Sequence, residues 1–142
     1  RALEKTYWAL TSGQVRPAQG TWHFPILEES DGARVSARGK PAKTHYRTLA
    51  LFPKSTELEI QLETGRRNQI RIHAAHAGFP LVGERKYARG KESALRLRSR
   101  RVALHAWKLA FVHPITAEEV SVEAPLPDDL LDLRARAAGG AR

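Results

Sequence analysis

No cysteine occurs anywhere in the sequence, which excludes disulfides, thiolate zinc sites and cysteine nucleophiles and agrees with a cytoplasmic setting. Methionine is also absent, even at position 1, where the chain opens Arg1-Ala2-Leu3-Glu4-Lys5 with no turn signal before a strand begins. That start is expected of a fragment or of a chain missing an N-terminal part. No apolar run approaches the roughly 20 residues of a membrane span, so no membrane partner is expected. There is no Walker sequence and no glycine-rich turn entering a long helix, so no nucleotide cofactor is expected. Aspartate is scarce: Asp31 falls in a loop and Asp128, Asp129 and Asp132 in a C-terminal helix, none placed as a buried nucleophile or base. His73 and His76 lie three apart with no carboxylate at ligand spacing, so no metal is expected. Ser12-Gly13 lacks the flanks of a nucleophile elbow.

What the sequence does have is positive charge. Its formal net charge is +9, with 42% hydrophobic and 27% charged residues in 142, the profile of one globular domain. A Lys and Arg surplus of this size points to a polyanionic partner, most often nucleic acid. The densest basic run is Arg85 to Arg101, with eight Lys and Arg residues opposed only by Glu92. Aromatic residues are interleaved with the basic ones: Tyr7, Trp8, Trp22, Tyr46, Tyr87 and Trp107. Some belong to the core, and one or two at a groove would suit stacking on unpaired bases.

Periodicity predicts mainly antiparallel strands with a few short helices, an α+β domain spanning residues 1–142. Lys5 to Leu10 and Thr21 to Phe24 read as strands, and Glu28 to Pro41 as an exposed loop or hairpin tip around Asp31-Gly32. An extended segment from Thr44 to Phe52 turns at Pro53 into Glu57 to Glu63, which alternates strictly. Leu58, Ile60 and Leu62 share one face; Glu57, Glu59, Gln61 and Glu63 share the other. Arg67 to Ala77 fits one helix stopped by Gly78. Val102 to Val112 and Glu119 to Ala124 form a second strand pair. Asp128 begins a last helix, with its acid in the first turn and Arg134 and Arg136 later, as the helix dipole favours.

The chain is organised around Thr64-Gly65-Arg66-Arg67-Asn68-Gln69-Ile70-Arg71-Ile72-His73, where the cleanest strand turns into a helix. A cationic strand-to-helix corner suits an anion, because a helix N-terminus adds free N–H groups.

This run, followed by Gly78-Phe79-Pro80-Leu81-Val82-Gly83 and Tyr87, resembles the RluA-like family of RNA pseudouridine synthases. Lys5-Thr6-Tyr7, Gly39-Lys40-Pro41-Ala42-Lys43-Thr44-His45-Tyr46, and Leu104-His105-Ala106 with His113-Pro114 resemble its other motifs, in the same order. The sequence departs from the family at Asn68, usually histidine, at Arg67, usually a small hydroxyl residue, and at Glu84, usually aspartate. The resemblance implies isomerisation of uridine in rRNA or tRNA by a monomer, without metal or cofactor. It puts Tyr7 at the active-site tyrosine, Arg71 at the arginine that pairs with the catalytic aspartate, and Ile70 in the uracil pocket. Arg66, Arg67, Asn68, Gln69, His73 and Lys40 fall at substrate-binding positions.

The family's aspartate lies in a His-Arg-Leu-Asp motif upstream of the first strand, and this sequence lacks that motif. The resemblance therefore implies the C-terminal portion of a catalytic domain. Arg71 is expected to lack that aspartate as its partner, and missing strands upstream of Lys5 to leave an unpaired edge. A non-catalytic RNA-binding domain, a truncated product and a basic scaffold on ribosomal RNA remain alternatives.

Overall fold

The structure, a computed structural model, describes residues 3–88 and 97–139. Its strands are β1 (Leu3–Ser12), β2 (Gln19–His23), β3 (Ile26–Glu29), β4 (Gly32–Val35), β5 (Lys43–Leu51), β6 (Ser55–Leu62), β7 (Leu104–Val112) and β8 (Glu119–Glu123). Helix α1 spans Gln69–His76 and α2 spans Asp128–Ala137. Six strands form one antiparallel sheet in the order β2-β5-β6-β1-β7-β8, and β3 and β4 pair separately as a hairpin. The α+β expectation is met. The described part of the basic run, Arg85 to Ala88 and Leu97 to Arg101, is irregular; residues 89–96 lie outside the described residues.

β1 lies inside this sheet, paired to β6 on one side and β7 on the other. The edges of the sheet are β2 and β8. A central strand covered on both faces cannot alternate apolar with polar, and Trp8, Ala9, Leu10 and Thr11 are all fully enclosed. Ala9 joins Tyr46, Leu58 and Ile60 under Ile70 and Ala74 of α1. Trp8 and Leu10 point the other way, against Leu130, Leu133 and Ala137 of α2. Complete burial of a leucine contributes about 1.5–3 kcal/mol, so two leucines are enough to dock a ten-residue helix.

β6 departs from strict alternation. Glu57, expected on the solvent face, is buried: it accepts the Trp8 indole N–H at 2.7 Å and Arg134 Nη1 at 3.3 Å. Its face is dry there because α2 crosses that end of the sheet. Glu59 and Gln61, further along β6, stay accessible as expected.

Part of the segment expected as an exposed loop or hairpin tip over Glu28 to Pro41 is the β3–β4 hairpin, turned at Ser30-Asp31. Its base is stitched by reciprocal backbone bonds between Ile26 and Lys40, both 2.9 Å. Gly39 is required there, since a Cβ would come within 2.3 Å of the Ile26 carbonyl carbon. Ile26 then packs with Ile72 of α1, which fixes the hairpin beside the Thr64–His73 corner.

Glu57→Ala should destabilise the protein by about 1–3 kcal/mol in urea unfolding, because the Trp8 indole N–H is left buried without an acceptor. Arg134→Ala, which removes only a partly exposed partner, should cost about 1 kcal/mol or less.

Candidate active site

The corner is built from the inside outward. Gln69 is buried, and its amide spans the turn: Oε1 accepts from Thr64 Oγ1 (2.8 Å) and the Arg66 N–H (3.0 Å), while Nε2 donates to Lys43 O and Thr44 Oγ1. Thr44 lies 2.8 Å from His73 Nδ1, and His73 Nε2 lies 2.8 Å from Phe24 O. A carbonyl can only accept, so Nε2 carries the proton and the Thr44 hydroxyl donates to Nδ1. Burial pushes the His73 imidazole below its ordinary pKa, the Phe24 carbonyl opposes this, and the neighbouring His76 and His23 reinforce it. Gln69 and His73 thus spend their polar groups inside the protein.

The helix begins at Gln69, two residues later than its pattern suggested, because Asn68 is left-handed (φ 53°). Asparagine tolerates that conformation better than most residues. Two N–H groups of the corner are engaged within the protein: Arg66 donates to Gln69, and Arg67 to Glu28 Oε2 at 2.8 Å. What the corner offers outward is side-chain charge. The Arg67 and Lys40 side chains are exposed, and Arg66 Nε donates to Pro41 O at 3.1 Å.

Ile70 is buried in an apolar cluster with Ala9, Leu58 and Ile60, and the half-buried Tyr7 packs against that cluster. The β1–β7 register shifts between Thr6 and Tyr7, from Thr6↔Lys108 to Tyr7↔Ala106. A bulge of this kind re-aims the side chain beside it, and such bulges are frequent next to functional sites.

Arg71, expected to lack the aspartate, is paired instead with Glu84. Its Nε donates to Glu84 Oε1 at 2.8 Å and its Nη2 to Glu84 Oε2 at 2.9 Å. Glu84 is fully enclosed, and its Oε2 also accepts the Lys86 and Tyr87 N–H groups. Burial pushes the Glu84 carboxyl up. The Arg71 and backbone hydrogen bonds and the Arg71 charge outweigh burial and bring it below the ordinary carboxylate range. The same bonds raise Arg71. The Tyr87 ring lies 5.2 Å from the Arg71 guanidinium carbon, and Asn68 Nδ2 donates to the Tyr87 hydroxyl at 3.1 Å.

The candidate residues therefore comprise a buried frame (Gln69, His73), apolar surface (Tyr7, Ile70), a clamped cation (Arg71, with Asn68 reaching it through Tyr87) and basic residues that are exposed (Lys40, Arg67) or half-buried (Arg66). Glu84 and Tyr87 were not assigned roles from sequence. The available signal was a lone acid between Gly83 and the basic pair Arg85-Lys86. An open groove of about 340 Å³ across β2, β5 and β6 lies away from this corner, and its Arg47 and His45 are paired with Glu59 and Glu63.

Glu84→Ala should destabilise the fold by about 3 kcal/mol, the lower end for a broken buried pair because Arg71 is 26% exposed. A carboxyl depressed in the fold contributes stability above its unfolded pKa of about 4.3 and loses it as pH falls through the folded value. Stability should accordingly fall more steeply below about pH 4.5 in the native chain than in Glu84→Gln. His73 is depressed too, so the unfolded chain takes its proton first and stability should begin to fall below about pH 6.5. A set of urea titrations from neutral to acid pH reads both limbs.

The family model described as RNA pseudouridylate synthase matches residues 1–76, more than half of the chain. Ribosomal large subunit pseudouridine synthase D of Nitrosomonas europaea is 45% identical over 142 residues, which cover 94% of this chain and 40% of that protein. The protein of the same name from Haemophilus influenzae is 39% identical over 145 residues, covering 94% and 44%. The uncharacterized RNA pseudouridine synthase YhcT of Bacillus subtilis is 39% identical, with the same coverage. The chain thus spans less than half the length of these relatives. Among solved structures, human RNA Pseudouridylate Synthase Domain Containing 1 superposes with a TM-score of 0.71 at 26% identity, over 89% of this chain and 56% of the human one. A two-faced antiparallel sheet with Tyr7 and Arg71 on one side, and a family match that runs through β1 and the whole Thr64–His73 corner, lead to one assignment: the chain belongs to the RNA pseudouridylate synthase family.

Proposed function

We propose that this chain forms the base-facing and RNA-holding part of a pseudouridine synthase site acting on uridine in RNA. The observation that supports the reading is that Tyr7 packs against the apolar cluster containing Ile70, the neighbour in sequence of a clamped Arg71, while Lys40 and Arg67 stay exposed. In the isomerisation the C1′–N1 glycosidic bond breaks, the uracil turns, and a C1′–C5 bond forms. The proton leaves C5 and N1 regains one, so the atoms balance without a cofactor. Tyr7 supplies a stacking face and a hydroxyl that can handle that proton. Ile70 offers an apolar surface, and Arg71 a permanent cation for developing negative charge.

The rim takes phosphates while the base is unstacked, at a cost of a few kcal/mol. Gln69 and His73 serve the substrate by holding the corner in shape. The ribosomal names of the relatives make ribosomal RNA the first substrate to test, with transfer RNA second. No helix among the described residues is long and apolar enough to cross a membrane. A monomer acting in the cytoplasm fits this reading.

The family resemblance assigns bond cleavage to an aspartate in a His-Arg-Leu-Asp motif that this sequence does not contain. Glu84 is no substitute, because both its oxygens are spent on Arg71 and backbone N–H groups. A chain that binds RNA without turnover is the second reading. Incubation with uridine-labelled RNA separates the two: pseudouridine formation supports the enzyme, and binding without it supports the RNA-binding module. On either reading affinity should fall with salt at a log–log slope of roughly −0.7 per phosphate contacted. Lys40→Ala and Arg67→Ala should each reduce that slope, whereas a flat salt response would remove the rim from the account.

A further inference from the structure

We propose that Glu84 is a positioning residue: it fixes one edge of the Arg71 guanidinium so that the other edge is held ready for the uridine or its reaction partner. This rests on the reading of the site given above. The grip is side-on. Glu84 takes Nε and Nη2 of Arg71, and among the described residues no hydrogen bond reaches Nη1. A planar guanidinium held at two points on one edge cannot rotate, so the direction of its remaining N–H groups is set by the carboxylate. The Arg71 side chain is 26% exposed whereas Glu84 is wholly enclosed, so the anchored end is the dry one and the unspent donors lie toward solvent.

The carboxylate itself is anchored. Its Oε2 accepts Lys86 and Tyr87 N–H groups at 3.1 and 3.3 Å in addition to Arg71. Gly83, at φ 87°, precedes it at a point where a Cβ would fall 2.2 Å from Arg101 O, so the segment can pass there only as glycine. Val82 N–H donates to Leu10 O, and Ala103 N–H donates to Val82 O. Glu84 is therefore mounted on the strand that carries Tyr7, and through it the stacking wall and the cation share one support. Tyr87 closes the clamp from the ring side and is itself tied to Asn68.

Stability alone is a weak reason for such a pair. Desolvation of a buried ion pair offsets most of its attraction, and well-packed apolar replacements are often neutral or better. A pair that spends half of one guanidinium and leaves the other half unpaired makes more sense as a directional support.

The test uses 15N-labelled chain, native and as Glu84→Gln and Glu84→Asp, with fold checked by circular dichroism. Affinity is measured for a short single-stranded RNA containing one central uridine and for the same strand with an abasic residue there. The native chain should prefer the uridine strand. Glu84→Gln should lose at least fivefold of that preference while holding the abasic strand within twofold, and Glu84→Asp should recover part of it. Equal loss on both strands, or an intact preference in Glu84→Gln, would overturn the proposal. The Arg71 Nε–H exchange rate decides the clamp separately from the function. If the native chain shows neither uridine preference nor pseudouridine formation, the uridine reading fails. Slow exchange that becomes at least tenfold faster in Glu84→Gln still establishes that Glu84 holds Arg71, and unchanged exchange refutes it. Should Glu84→Gln fail to fold, the same comparison is read on Glu84→Asp, where a shorter reach should speed exchange and weaken the preference.

Discussion

An arginine held edge-on by an enclosed carboxylate is the constraint on which the described site depends. Arg71 sits on α1, whose other residues Ile70 and Ala74 are committed to the sheet, and Glu84 sits on a segment stitched to β1. The ion pair ties these two elements together on the same side as Tyr7. Coulomb attraction at 2.8–2.9 Å is large in a dry setting, yet burying Glu84 costs much of it. The return is geometry: one cation with a fixed direction beside an apolar wall.

Around that pair the sheet divides the work. Its α2 face is closed by leucines and by Glu57, which satisfies a buried tryptophan. Its α1 face supports the corner through a chain of bonds from Lys43 through Gln69 and Thr44 to His73 and Phe24. The charge is left to the rim. A basic protein that spent its arginines on internal ion pairs would be a poor ligand for phosphate. Here Lys40 and Arg67 keep exposed side chains, while Arg71 alone among the corner's arginines is paired with a buried acid.

Much of this was legible in the sequence. Strand periodicity located β1, β5, β6, β7 and β8, and Gly78, at φ 97°, ended α1 as expected. What period-2 reasoning missed was Glu57, because alternation reports the two faces of a strand but cannot report a helix whose Arg134 arrives from 77 positions away to dry one of them. Helix propensity placed the start of α1 too early, since it does not report the left-handed turn at Asn68, whose side chain is tied to Tyr87. At the corner the Arg66 and Arg67 N–H groups were claimed by Gln69 and by Glu28, which arrives from a segment that read as a loop or hairpin tip. Arg71 was legible as a site residue through the resemblance, but its partner was not. The pair is separated by 13 positions, and nothing in the local pattern says that an acid among basic residues turns inward.

The most direct test of the account is the place of the uracil ring on the bound chain. Intermolecular nuclear Overhauser contacts from uracil H5 and H6 of a short uridine-containing RNA should reach the Tyr7 ring and the Ile70 methyl groups. Contacts confined to the exposed rim at Lys40 and Arg67, or to Trp107 on another part of the sheet, would contradict it.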